Sequence, residues 1–414
     1  MDLERDPGRA GFDPARLARV DRHLARYVDD GRLAGWQVDV SRDGRVVHHG
    51  TYGRRDREAG TPVTPDTIWR IHSMTKPLTS VAAMMLHEEG RLPLRAPLAD
   101  FLPEFAGMRV FRGGAMANVV TEPAAGPISI WNLLTHTSGL TYGFHHAHPV
   151  DAVYRAAGHE WATPAGADSA EVCRQWAAIP LVFQPGSEWN YGVSTDVLGR
   201  LVEVVSGLPL DEFFEQRIFR PLGMTDTSFG LREAEDVDSL ARLYAAVPGQ
   251  PGGAPTRFAP YDAMGAAAHA KPAFLSGGGG LVSTAGDYLR FVELLRRGGS
   301  YDGGRLLSTR TIGYMTRNHL PGDQDLETFG RPLFAETPLR GVGFGLGFSM
   351  VIDPVRYGVL SSLGDYSWGG AASTAFYVDP VEDVTVGFYT QLLPSSTLPI
   401  RNHLRQLVNQ ALVD

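Results

Sequence analysis

The chain is poor in cysteine and in lysine, has no run of eighteen apolar residues, and carries no basic stripe. Each scarcity excludes something. The single cysteine, Cys173, permits no intramolecular disulfide and reads as a small buried hydrophobe in a helical stretch beside Trp176. Without a long apolar segment, no helix is expected to cross a membrane. Net charge is −8 with both signs interspersed, so the electrostatic footprint of a nucleic-acid partner is missing. The opening Met1-Asp2-Leu3-Glu4-Arg5-Asp6-Pro7 has neither the basic region nor the apolar core of a secretory signal, which points to a cytoplasmic protein. Of 38 basic residues only Lys76 and Lys271 are lysine, so a position that keeps lysine is one to ask about.

What is present suits two domains, or one large domain with an insertion: 414 residues, 43% hydrophobic and 20% charged. Asp13-Pro14 opens an N-terminal helix with Leu17, Val20, Leu24 and Val28 at helical spacing. Two β-rich runs, 36–40 and 45–49, flank Asp43-Gly44 and read as a hairpin. Thr67 to Ile71 is a short strand-like run, and 76–89 is a helix apolar on most faces. Between 90 and 270 few strand patterns occur. The clear helices there are 169–178, 194–206 and 210–219, and 248–274 reads as a long loop. Strand signals return at 343–353, 374–378 and 384–389, and an amphipathic helix closes the chain. The expectation is an α+β fold, with residues 1–90 and 271–414 forming one discontinuous domain around an antiparallel sheet. Residues 91–270 form a mainly helical second domain inserted between them.

Three short segments carry chemistry. Ser73-Met74-Thr75-Lys76 begins the buried helix, and a spacing of three puts the hydroxyl and the amine on one face. Unpaired N–H groups and the macrodipole at a helix start favour an oxyanion and disfavour a protonated amine, so a desolvated lysine there can activate serine without histidine. With two lysines and 22 serines in 414 residues, roughly 0.1 such pairs are expected by chance. The bland alternative is a serine cap with a solvated lysine. Tyr191-Gly192-Val193-Ser194 sits at a loop-to-helix junction where tyrosine can relay a proton, although a lone tyrosine there is more often packing. Tyr366-Ser367-Trp368-Gly369-Gly370-Ala371 leads into a strand. Paired glycines let a ligand approach the backbone, and the Ala371 N–H could join that of Ser73 as an oxyanion hole.

Together these segments resemble the serine β-lactamase and penicillin-binding-protein superfamily, most closely its family VIII carboxylesterases. The likeness includes Leu133-Leu134-Thr135-His136-Thr137-Ser138-Gly139-Leu140, residues 196–203 and Pro221-Leu222-Gly223-Met224. It implies Ser73 as nucleophile, Lys76 as its base and Tyr191 as proton shuttle to the leaving group. It also implies Trp368-Gly369-Gly370 in the place of Lys-Thr-Gly, with Ala371 as second oxyanion donor. Val193 stands where the class C lactamases carry asparagine, and Trp368 where they carry lysine. Both changes suit a neutral acyl or alcohol group better than a charged β-lactam, so Val193, Trp368, Gly369 and Gly370 are the expected substrate contacts.

The expected function is hydrolysis of small to medium acyl esters, with a small-molecule ester as partner, no cofactor and no metal. The rivals are acyl transfer to an alcohol or amine, a lactamase, D-aminopeptidase or amide hydrolase, and a ligand-binding protein with a dead site. His145-His146-Ala147-His148 lacks a matching carboxylate or cysteine spacing and reads as loop histidines. His136 belongs to a turn after a helix at 130–135. The Gly277 to Gly280 run lacks the context of a phosphate loop and reads as a close pass of the chain by the site. The absence of Gly-x-Ser-x-Gly disfavours an α/β-hydrolase.

Overall fold

The computed structural model describes residue 4 and residues 6–116, 118–161, 166–232, 237–247, 257–331 and 339–413. Eight strands form the main sheet: β1 (Gly35–Arg42), β2 (Arg45–Asp56), β3 (Thr61–Pro62), β4 (Val342–Phe344), β5 (Ser349–Val351), β6 (Tyr366–Gly369), β7 (Ala375–Asp379) and β8 (Val384–Tyr389). Their spatial order is β4-β5-β6-β7-β8-β1-β2-β3, antiparallel throughout. The N-terminal hairpin therefore pairs with the C-terminal strands through β1 and β8, with Val40 opposite Val386. Asp43 and Gly44 both take positive φ (53° and 76°), the geometry of a two-residue hairpin turn matched to strand twist.

Five helices pack in the cores on either face of the sheet: α1 (Arg19–Asp29), α2 (Thr75–Glu88), α3 (Ser194–Ser206), α4 (Ala285–Arg296) and α5 (Ile400–Asn409). Every residue of α2 from Thr75 to Leu86 is buried, as its all-round apolar sequence requires. Helices α2, α3 and α4 belong to one core with the inner face of the sheet, including Tyr366, Phe376 and Val378. On the other face α1 and α5 pack through Val20, Leu24, Leu404 and Val408 against Val38, Val40, Tyr377 and Val386. No described helix is long and apolar enough to cross a membrane.

Some local expectations differ. Tyr366–Gly369, expected only to lead into a strand, is itself a strand, because β5 and β7 pair with its two edges. The 343–353 run is a hairpin of two strands, broken where Gly347 takes φ 95°. A hairpin at Arg109–Gly113 and Val120–Pro123 interrupts the helical region. Within 248–274, Arg257–Pro260 pairs with Tyr244–Val247 and helical turns follow, while 248–256 lie outside the described residues.

Candidate active site

The short strand Ile68–Arg70 pairs with Leu281–Thr284 and delivers the chain to a 3-10 turn, His72–Met74, which runs straight into α2. His72 is held in the left-handed region (φ 43°), an unfavourable conformation for a residue with a Cβ, immediately before Ser73. Ser73 and Lys76 then face each other across one turn, with Lys76 Nζ donating to Ser73 Oγ at 3.1 Å. Tyr191, at the entry to α3, donates from its hydroxyl to the same oxygen at 2.6 Å. Residues 118 positions apart in sequence thus meet on one atom.

The amine is deeply buried, with Lys76 1% exposed, and its other two donor directions are fixed. One goes to the Gly278 carbonyl at 2.7 Å and one to the Tyr142 hydroxyl at 3.1 Å. Tyr142 in turn donates to Asp196 Oδ2 at 3.3 Å. Burial first, and the Asp196 charge second, hold the Tyr142 hydroxyl well above the usual tyrosine range, so it stays a phenol and can pass this bond on. Asp196 Oδ1 accepts from the Gly278 N–H at 2.9 Å and from Ser276 Oγ. A Cβ on Gly278 would stand 2.3 Å from Asp196 Oδ2, so the close pass of the glycine run serves to bring a carbonyl to Lys76. With two directions tied down, the third, toward Ser73, is where a lone pair sits when the amine is neutral.

Tyr191 is surrounded by rings: Trp189, His136, Tyr142 and Trp368 lie with centroids 5.1–6.5 Å away. Burial holds His136 well below the usual histidine range, so a neutral imidazole faces Tyr191. His136 lies in the turn after Ile130–Leu134, with φ 54°.

A cleft opens on Ser73, lined by Tyr191, Trp368, Gly369, Gly370 and Ala371 among others. Gly370 has no room for a side chain, since a Cβ would come within 2.4 Å of the Ile71 carbonyl oxygen. That contact presses the end of β6 against the nucleophile's turn. The Ala371 N–H has no hydrogen-bond partner among the described residues. Val193, the N-cap of α3, is 3% exposed, packs in the main core and is not among the residues that line the cleft. A cation unnamed by the sequence reading does line the cleft: Arg401 at the start of α5, donating to the carbonyls of Gly370 and Thr374 at 2.8 and 3.0 Å. The three loop histidines have separate partners. His145 bonds the Tyr191 carbonyl, His146 pairs with Glu160, and His148 caps the helix Pro149–Ala156.

Sequence reasoning named Ser73, Lys76 and Tyr191 and missed Tyr142. Asp196 entered only as part of a family-like stretch. The one signal for Tyr142 was its place two residues beyond the Leu133–Leu140 segment.

Comparison with known proteins identifies the family. A family model described as beta-lactamase matches residues 20–410. Protein Rv1367c of Mycobacterium tuberculosis is 36% identical over 375 residues, covering 90% of this chain and 89% of its own. Esterase EstB of Burkholderia gladioli is 32% identical over 396 residues, with 90% of each chain covered. The solved structure of EstCE1, described as a hydrolase with promiscuous acyltransferase activity, superposes with a TM-score of 0.78 at 28% identity, covering 95% of this chain and 99% of that one. With a family model and relatives spanning nearly its whole length, the chain belongs to the beta-lactamase family and is a serine hydrolase.

Proposed function

We propose that this hydrolase cleaves small to medium carboxylic esters through an acyl-enzyme on Ser73. The observation that supports it best is the convergence of Lys76 Nζ and Tyr191 OH on Ser73 Oγ at the edge of a largely apolar cleft. Lys76 takes the serine proton as Oγ attacks the ester carbonyl carbon. The N–H groups of Ser73 and Ala371 receive the charge that develops on the carbonyl oxygen. Tyr191 hands a proton to the departing alkoxide as the carbon–oxygen bond breaks and takes one back from the protonated Lys76; a water then attacks the acyl carbon, losing a proton to the same pair of groups, which return it to Ser73 Oγ as the acid leaves. Trp368 in the cleft supports uncharged substrates. The interspersed surface charge supports a small-molecule partner rather than nucleic acid.

The test is labelling with a fluorophosphonate, followed by peptide mapping and assay of Ser73→Ala. Adduct on Ser73, and loss of p-nitrophenyl butyrate hydrolysis in a variant with an unchanged circular dichroism spectrum, are expected. An adduct on Ser138 or Ser283 would overturn the mechanism. Nitrocefin should be at least a hundredfold poorer in kcat/KM than the butyrate, since a carboxylate left unpaired against an indole costs several kcal/mol. Comparable turnover would overturn the preference for uncharged substrates.

Acyl transfer is the second reading, favoured by the activity named for EstCE1. It leaves the first half of the cycle unchanged and replaces water by an alcohol. Measuring ester against acid product with a competing alcohol separates the two.

A further inference from the structure

One wall of the cleft is made of rings laid face to face. Tyr142 and Phe144 stack at 4.7 Å and 19°, and Phe144 and Trp161 at 4.3 Å and 10°. Phe144, Trp161 and Tyr191 line the same cleft as Ser73. The stack is anchored at its inner end, where Tyr142 accepts from Lys76 and donates to Asp196, and open at its outer end, where Trp161 is 40% exposed. The two segments that carry it are pressed together. A Cβ on Gly143 would come within 2.4 Å of the His159 carbonyl oxygen, Arg155 donates to the Gly143 carbonyl at 2.6 Å, and His146 pairs with Glu160 at 2.9 Å. His145 Nε2 bonds the Tyr191 carbonyl at 2.7 Å and ties the stack to the segment that bears the proton donor.

We propose that Trp161, backed by Phe144, is a specificity-determining residue whose exposed face stacks on the alcohol half of the ester, and that the preferred alcohol is a flat aromatic one of one or two fused rings. This rests on the ester-hydrolase reading above. The leaving oxygen must reach the Tyr191 hydroxyl to collect its proton, so the group attached to it lies beside the rings that flank Tyr191. On the Tyr142 side those rings are this stack, beginning 5.3 Å from Tyr191. Rings fixed in offset stacking add a further flat ring at little conformational cost, and the gain is lost for a puckered ring of the same size. Among the described residues no carboxylate lines the cleft, which leaves a cationic alcohol without a counter-charge.

The experiment compares 2-naphthylmethyl butyrate with decahydro-2-naphthylmethyl butyrate, whose alcohols have nearly equal acidity and differ in flatness. Methyl 2-naphthylacetate and its decahydro counterpart move the same contrast to the acyl half. The wild type should favour the flat butyrate by about tenfold in kcat/KM, and Trp161→Ala and Phe144→Leu should each cut that ratio about threefold or more, through KM. The ratio for the two methyl esters should stay where it was. A wild-type preference for the saturated ring, an unmoved butyrate ratio in folded variants, or a change confined to the methyl esters overturns the proposal. Calorimetry on Ser73→Ala protein supplies a readout without turnover. 2-Naphthylmethanol should bind more tightly than its saturated analogue, and adding Trp161→Ala should remove the difference; equal affinities before that change overturn the proposal. If none of the four esters is cleaved, the esterase reading fails while the alcohol-binding comparison still decides this one.

Discussion

Lys76 is one of two lysines beside 36 arginines, so replacing it by arginine asks what a cation alone is worth at this position. Arginine would keep the charge and donors for Gly278 and Tyr142, but its guanidinium does not give up a proton at usable pH. If proton acceptance is the role, Lys76→Arg should lose about 10²–10⁴ in kcat/KM on a short-chain ester, nearly as much as Lys76→Ala. A folded arginine variant with a third of wild-type activity would remove Lys76 as the base. Tyr142 poses a subtler question, because it touches the amine and not the serine. Tyr142→Phe deletes one acceptor for Nζ and one donor to Asp196, so the amine loses orientation while the cleft keeps its ring. We expect kcat to fall about tenfold with KM little changed, and the acidic limb of the kcat–pH profile to shift. An unchanged profile with a lowered melting temperature would mark Tyr142 as structural only. The contrast between these residues also explains what was legible. Ser73 and Lys76 share a helix face, so their spacing in sequence is their spacing in space. Tyr142 and Asp196 reach the amine only after three separate segments have packed, and nothing local announces that. Val193 was named from the family resemblance alone, and its burial at the start of α3 is a property of packing that the motif does not state.

At the level of elements, helices and the Asp43-Gly44 hairpin were readable because periodicity and turn chemistry are local properties. The strand Tyr366–Gly369 was not, since a Trp-Gly-Gly sequence has turn composition and becomes a strand only by having partners on both sides. Its glycines are what allow the strand end to touch the nucleophile's turn. Gly370→Ala should therefore push β6 away from Ile71, at about 1–3 kcal/mol of overpacking, and cost at least tenfold in kcat. Gly313→Ala is the control: no atom lies within 4 Å of the added methyl, in the helix Thr309–Met315. It should be neutral or stabilise by up to about 1 kcal/mol. Thermal melts and kcat/KM on both variants check the pair, and equal losses would mean that the contact at Ile71 does not matter.

Across the whole molecule, histidine gives the fold a direction in pH. Of 13 histidines, eight are held below the usual range, chiefly by burial: His23, His72, His136, His145, His148, His159, His319 and His403. His49 alone is held above it, by its bond to Asp39. A histidine whose folded pKa is depressed binds fewer protons folded than unfolded, so its stabilising contribution is complete above pH 6.5 and drains away as pH falls. For His72 and His23 the loss runs from 6.5 down to about 4. Each such group contributes at most about 1.4 kcal/mol per pH unit in that window. Melting temperature should thus fall steeply between pH 6.5 and 4.5, and His136→Asn, which tolerates the left-handed backbone, should flatten the slope. A melting temperature constant over that range would contradict the burial of these imidazoles. The arrangement of the site has a consequence of another kind. The groups assigned to proton transfer hang from interior helices and a clamped glycine turn, whereas the aromatic shelf of Phe144 and Trp161 belongs to connecting segments at the rim. Heritable variation at the rim can retune which molecules are admitted while the interior stays untouched. A directed-evolution library for new esters should therefore randomise 144 and 161 and leave 73–76, 143, 145, 191 and 276–280 alone.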